Sequence, residues 1–294
     1  MEARTPISLI TGALGSGKTT LLRRILRGTE RRLAVLMNEF GEIAIDSRIL
    51  PGENLRIIEL AGGCVCCELA GEFEAAVNEI IERFQPELIV VEATGVAEAD
   101  ALAYEVQDNL PQVRLESVIN IVDAYASIEH PEIGYAARSQ LRQADLILIN
   151  KTDLVGQAAV ETVKKQVRPY NDNAVLIESV FCNVDPRILF GPDVPHREGL
   201  RAPHSEQNLR SFTFTTGRML DRTKFEQLVA SLPAEVYRAK GFVRIDDKPY
   251  LFNYVAGRSE LEEFPSDKTE LVFIGPHLEG AKEAILARLR GCEV

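Results

Sequence analysis

The chain has 294 residues, 46% of them hydrophobic and 26% charged, and a formal net charge of −11. That length and composition suit one large or two ordinary globular domains, and the acidic balance argues against a nucleic-acid partner, which asks for a basic face. The longest apolar runs, such as Leu88–Val91, have buried-strand length, too short for a membrane span, and the opening PISLI is too short for a secretory core, so a cytoplasmic protein is expected.

Short apolar runs predict strands at Ile7–Thr11, Leu33–Asn38, Leu55–Leu60, Leu88–Glu92, Ser117–Val122, Leu146–Asn150 and Ala174–Glu178. Helical patterns fall between them at Lys18–Arg27, Glu72–Phe84, Glu98–Asn109 and Val160–Val167. Several strands are apolar on consecutive residues, as expected when helices cover both faces. The alternation predicts an α/β fold, a doubly wound, mostly parallel sheet with ligands at the carboxyl ends of its strands. Residues 191–208 carry three prolines and two glycines without periodicity and read as a linker between domains at 1–190 and 209–294. The second domain reads as strand Leu209–Thr215, helix Arg222–Leu232, strands Val236–Asp246, Pro249–Val255 and Glu270–Ile274, and helix Leu278–Arg290. This is a smaller C-terminal α+β domain, compatible with a ferredoxin-like split βαβ arrangement.

Residues 12–19, Gly12-Ala13-Leu14-Gly15-Ser16-Gly17-Lys18-Thr19, match GxxxxGK(S/T) between a strand and a helix, the context that motif requires. The glycines let the loop curl so that backbone N–H groups, through Thr20, face phosphate oxygens. Lys18 and the helix N-terminus add positive charge, and the Thr19 hydroxyl suits Mg²⁺. Asn150-Lys151-Thr152-Asp153 follows the strand DLILIN and matches the Asn-Lys-x-Asp tetrad of GTPases. The Asp153 carboxylate can accept from both N1–H and the amine of guanine, a pairing that adenine does not offer. Asn150 would tie this loop to the P-loop, and the Lys151 stem would cover the base. Ser179, after the next strand, either supports the base through its backbone N–H or is a plain loop serine. Glu92-Ala93-Thr94-Gly95 ends another strand: Glu92 can hold the Mg²⁺ water shell and Gly95 can bond the γ-phosphate, although a helix-start carboxylate is the other reading of Glu92.

Three of the five cysteines, Cys64, Cys66 and Cys67, crowd into GGCVCC after the strand LRIIEL. In a reducing compartment they do not read as a disulfide framework; thiolates suit Zn²⁺ or Cu⁺, with structural and redox roles as alternatives. A fourth ligand is available in Asn38-Glu39-Phe40-Gly41-Glu42, where Glu39 or Glu42 could sense metal and nucleotide together or simply be solvated.

GALGSGKT, NEFGEIAID, GGCVCC, EATG and NKTD in this order resemble the CobW-type GTPases, a family of metallochaperones that includes zinc-transfer, cobalamin-biosynthesis and nitrile-hydratase accessory proteins. The likeness is close over residues 7–153 and looser around YRAKGFVRI at 237–245. It implies a slow GTP hydrolase that uses Mg²⁺, with Lys18, Glu92 and Asp46 in the hydrolytic site and Asp46 orienting the attacking water. It further implies that Cys64, Cys66 and Cys67, helped by Glu39, carry Zn²⁺ or Co²⁺ to a metal-requiring client protein as GTP and GDP alternate. A nucleotide-dependent homodimer is compatible with it; a membrane partner is not expected. A small-molecule P-loop kinase with structural cysteines, and a GTP-gated scaffold with a permanent structural zinc, are the rival classes, the first opposed by NKTD.

Overall fold

A computed structural model describes residues 4–29, 31–37, 55–59, 70–93, 99–190, 209–255, 257–264 and 266–294. These fall into two compact units that divide between Asn183 and Val184.

In the first unit, strands β1 (Thr5–Gly12), β2 (Leu33–Met37), β3 (Leu55–Glu59), β4 (Leu88–Glu92), β5 (Val113–Asp123), β6 (Leu146–Asn150) and β7 (Val175–Ser179) form one parallel sheet. Their spatial order is β3-β2-β4-β1-β5-β6-β7. β1 is buried on consecutive residues from Ile7 to Thr11 because both faces are covered. Ile7 and Leu9 meet Phe73, Val77 and Ile80 of helix α2 (Ala70–Phe84), apolar positions at helical spacing. β6 packs Ile147 and Ile149 against Val160, Val163 and Val167 of helix α6 (Gln157–Val167).

Register brings the strand ends into line. Ile10 lies opposite Glu92, Gly12 opposite Ile121, Asp123 opposite Asn150 and Asn150 opposite Ser179. Met37 lies opposite both Glu59 and Glu92. The ends of β1, β2, β3, β4 and β6 therefore lie along one edge of the sheet, and the P-loop and NKTD motifs stand there.

All seven expected strands are present, with three informative departures in this unit. β5 begins four residues before Ser117, because Arg114 and Glu116 bury their charges as an ion pair and the strand continues through a polar stretch. The helix expected at Glu98–Asn109 ends as α3 (Ala99–Tyr104), and a wider π-type turn, Glu105–Asn109, keeps Val106 in the core. Helices α4 (Ala124–Glu129) and α5 (Tyr135–Gln143) were not expected. The first is only six residues long, started by the Asp123 carboxylate accepting from the Ala126 N–H (3.0 Å). The second buries Ser139 and Gln140 beside Leu141, so it lacks a clean apolar stripe.

The second unit contains β8 (Leu209–Thr216), helix α8 (Arg222–Ala230), β9 (Arg238–Ile245), β10 (Lys248–Val255), β11 (Arg258–Glu263), β12 (Thr269–Pro276) and helix α9 (Glu279–Gly291). The order is β11-β10-β9-β12-β8 with every neighbour antiparallel. β8 and β9 are therefore parallel to each other with β12 between them, which is the split βαβ arrangement. β11 escaped the sequence because RSELEE is polar at all but one position; among the described residues it pairs with β10 alone, and charge at an edge discourages further pairing.

Residues 184–190, which the linker argument puts in the first domain, group with the second unit. Helix α7 (Pro186–Phe190) explains why. Its last carbonyls accept from two buried cations: Ile188 and Leu189 from Arg238 (3.4 and 3.0 Å), and Phe190 from Lys240 (3.5 Å). Positive charge at a helix C-terminus is favourable, and here it also satisfies orphan carbonyls. Among the described residues no helix is long and apolar enough to cross a membrane. Arg238→Met strands the Ile188 and Leu189 carbonyls and should lower stability by about 2–3 kcal/mol. Hydrogen exchange should show the loss of protection concentrated in α7 and β9.

Candidate functional site

The loop between β1 and helix α1 (Lys18–Gly28) is shaped by what surrounds it. Gly12 and Gly17 have φ of 135° and 121°, where side chains are strained. A Cβ on Gly12 would lie 2.5 Å from the Ile121 carbonyl oxygen; one on Gly17 would lie 2.6 Å from Asn150 Nδ2 and 2.9 Å from Cys182 Sγ. Only glycine lets the loop approach β5 and the NKTD segment this closely. Lys18 is nearly buried, and its Nζ donates to the carbonyls of Gly12 (2.9 Å) and Ala13 (3.1 Å). The Ser16 hydroxyl is buried with no hydrogen-bond partner among the described residues. A buried hydroxyl left over beside a lysine ammonium and a helix N-terminus fits an anionic ligand.

Thr19 Oγ1 donates to Glu92 Oε1 at 3.2 Å, so the two side chains expected around Mg²⁺ meet across the β1–β4 boundary. A hydroxyl beside a carboxylate is an oxygen-donor set of the kind that hard cation takes.

Asn150 ties the NKTD segment to the P-loop and to the turn after β7. Its Nδ2 donates to the Ser16 carbonyl (2.9 Å), while its Oδ1 accepts from Ser179 Oγ (3.2 Å) and from the Cys182 N–H (2.9 Å). Lys151 has φ of 62°, and its Nζ pairs with Asp123 Oδ2 at 2.5 Å. Thr152 Oγ1 donates to the Ser179 carbonyl (3.2 Å). Asp153 is exposed in the single 3₁₀ turn Thr152–Leu154, open to a ligand from solvent. Leu14, at the tip of the P-loop, is also exposed.

Sequence reasoning missed Asp123, Arg24, Phe181 and Cys182. Asp123 carried a usable signal, a helix-starting carboxylate at a strand end. Arg24 looks like any surface arginine on α1, yet its Nε donates to the Phe181 carbonyl (2.6 Å) and its Nη1 to Asn183 Oδ1 (2.9 Å). Cys182 stands alone in sequence; in the fold its thiol is buried and donates to the Gly17 carbonyl at 3.4 Å. Burial pushes that thiol up to about 12, against the smaller opposing pull of Arg24 and Lys151, so it stays protonated and unreactive near neutral pH. Glu39, Glu42, Asp46, Cys64, Cys66, Cys67 and Gly95 lie outside the described residues.

A parallel doubly wound sheet carrying a P-loop and an NKxD segment locked together by its asparagine defines a P-loop GTPase. The chain belongs to the CobW/HypB/UreG family: the profile of that nucleotide-binding domain matches residues 6–178, and that of the cobalamin synthesis protein cobW C-terminal domain matches residues 209–293. The zinc chaperone CobW of a Sinorhizobium species is 27% identical over 94% of both chains. The zinc chaperone YeiR of Escherichia coli (strain K12) is 30% identical over 70% of this chain and 64% of its own. The crystal structure of Zn(II)-bound YjiA GTPase from E. coli shares the fold, with a TM-score of 0.50, 24% identity and full coverage of both chains.

Asn150→Asp keeps the size of this side chain but sets an anion against the Ser16 carbonyl. GDP affinity should fall about 10- to 100-fold, equivalent to ~1.4–2.7 kcal/mol, in isothermal titration. An unchanged affinity would remove Asn150 from its central position.

Proposed function

We propose that this GTPase is a metallochaperone that captures a divalent transition metal, zinc foremost and cobalt as the alternative, and delivers it to a client protein under nucleotide control. The observation that carries the reading is the register of the sheet edge. Met37 pairs with Glu59 on one side and Glu92 on the other. β2, which precedes Glu39 and Asp46 in sequence, therefore ends beside Glu92, and β3, which precedes Cys64, Cys66 and Cys67, is the next strand out. At about 4.8 Å per strand, β3 lies some 14 Å from β1. The zinc chaperones among the relatives support zinc as the cargo.

In this reading residues 12–20 bind the phosphates through backbone N–H groups, and Lys18 turns its ammonium from the loop carbonyls to the β- and γ-phosphates. Thr19 would hold Mg²⁺ and Glu92 its water shell; bound there, the ion neutralises charge that develops on the phosphates. Gly95 bonds the γ-phosphate and Asp46 orients the attacking water. Asp153 reads guanine, the Lys151 stem covers it, and the Ser179 segment supports it. Three thiolates leave one tetrahedral position for Glu39 or for a ligand from the client, and an open position is what transfer requires. The γ-phosphate would hold the 38–46 and 92–95 segments in one arrangement that hydrolysis releases, changing the affinity at the cysteines.

Two variants test the two halves of the reading. Asp153→Asn exchanges an acceptor for a donor, so GTP affinity should drop at least about 100-fold while xanthosine triphosphate binds better than to the parent. Retention of GTP preference would contradict the role given to Asp153. Cys66→Ala should weaken zinc binding at least about 100-fold in chelator competition. Zinc that stays bound to that variant, or that resists chelation equally with GTP and GDP, would favour a permanent structural ion.

A further inference from the structure

The turn after β7 has a shape that neither phosphate binding nor metal transfer uses. The Asn183 N–H donates to the Val180 carbonyl at 3.0 Å, and the two residues between, Phe181 and Cys182, have φ of 51° and 52°. Positive φ at both central positions is the type I′ pattern. The β9–β10 hairpin uses the same pattern with Asp246 and Asp247, at φ of 47° and 66°, and aspartate tolerates that conformation. A phenylalanine followed by a cysteine does not, and such strain persists only where the surroundings enforce it.

Here they do, from three sides. Arg24 of α1 binds the Phe181 carbonyl and the Asn183 side chain. Asn150 accepts the Cys182 N–H, and the Cys182 thiol sits against Gly17. The outcome is a Phe181 side chain 66% exposed on a loop that Thr152 bonds to the NKTD segment. A single exposed aromatic is ordinary on a protein surface. One displayed by a strained turn and braced by the phosphate-binding helix and the NKTD asparagine is not accounted for by packing.

We propose that Phe181 forms a wall of the guanine site, stacking its ring on the base, and that Arg24 is a positioning residue that acts through the Val180–Asn183 turn. The inference rests on the guanine reading of the Asn150–Asp153 segment and is independent of the metal cargo. Every base has a face on which an aromatic ring can stack, so Phe181 contributes affinity while Asp153 contributes the choice of base.

The sequence has no tryptophan, so Phe181→Trp in the full chain supplies a single emission reporter. Its fluorescence should be quenched saturably by GDP and left unchanged by inorganic tripolyphosphate, which engages the P-loop without a base. Phe181→Ala should weaken GDP about 10-fold and leave tripolyphosphate affinity within about two-fold. Phe181→Tyr should keep GDP affinity, and Arg24→Ala should show the same selective loss in smaller degree. Emission that ignores GDP while calorimetry shows GDP bound would overturn the proposal, as would equal loss of GDP and tripolyphosphate in Phe181→Ala. A parent protein that binds GDP no better than ADP would overturn it by a different route, removing the guanine site itself.

Discussion

The carboxamide of Asn150 faces the P-loop with its nitrogen and the turn after β7 with its oxygen, joining segments centred on residues 16, 150 and 182. It is 2% exposed, so these bonds are made out of water, where a lost partner leaves a costly orphan. The same packing explains why Gly17 must be glycine, since the space a Cβ would fill is already held by Asn150 and Cys182. The P-loop, the NKTD segment and the turn after β7 are consequently parts of one locked assembly. Lys151, immediately after, is fixed in a left-handed conformation by the chain path and by its ion pair with Asp123.

The parallel sheet extends this constraint sideways. β4 lies between β1 and β2, so Glu92 stands between the P-loop and the segment that follows Met37. Thr19 touches Glu92 directly. In the proposed function a change in charge at the γ-phosphate is felt first at Glu92, whose neighbour in the sheet is β2, the strand that precedes Glu39 and Asp46 in sequence. The strand leading to the cysteines is next. In the proposed function this order of strands is the route by which nucleotide state alters metal affinity, and linkage requires the effect to run equally in the other direction.

The sheet, its strands and the P-loop and NKTD elements were legible in the sequence because buried parallel strands are apolar on consecutive residues and the motifs fall where strands end. Family membership was legible too, in the order of GALGSGKT, NEFGEIAID, GGCVCC, EATG and NKTD. What escaped depended on contacts that local pattern does not carry. Arg114 and Glu116 look like a strand terminus until they are seen to neutralise each other. RSELEE looks like a loop until β10 supplies its hydrogen bonds. α7 belongs with the second unit because Arg238 and Lys240, some 50 residues away in sequence, bind its carbonyls. In the site, Cys182 and Arg24 had no motif to announce them; their roles come from proximity to Gly17 and to the turn after β7.

In the proposed function nucleotide state and metal occupancy share free energy. The most direct measurement of that coupling is the dissociation constant of GTP, with Mg²⁺ present, for the protein without transition metal and for the protein saturated with Zn²⁺. A coupled chaperone requires the two values to differ by a factor of roughly 5–150, the range of typical coupling energies, and requires Zn²⁺ affinity to differ by the same factor between the GTP-bound and nucleotide-free protein. Equal GTP affinities with zinc demonstrably bound would contradict the account.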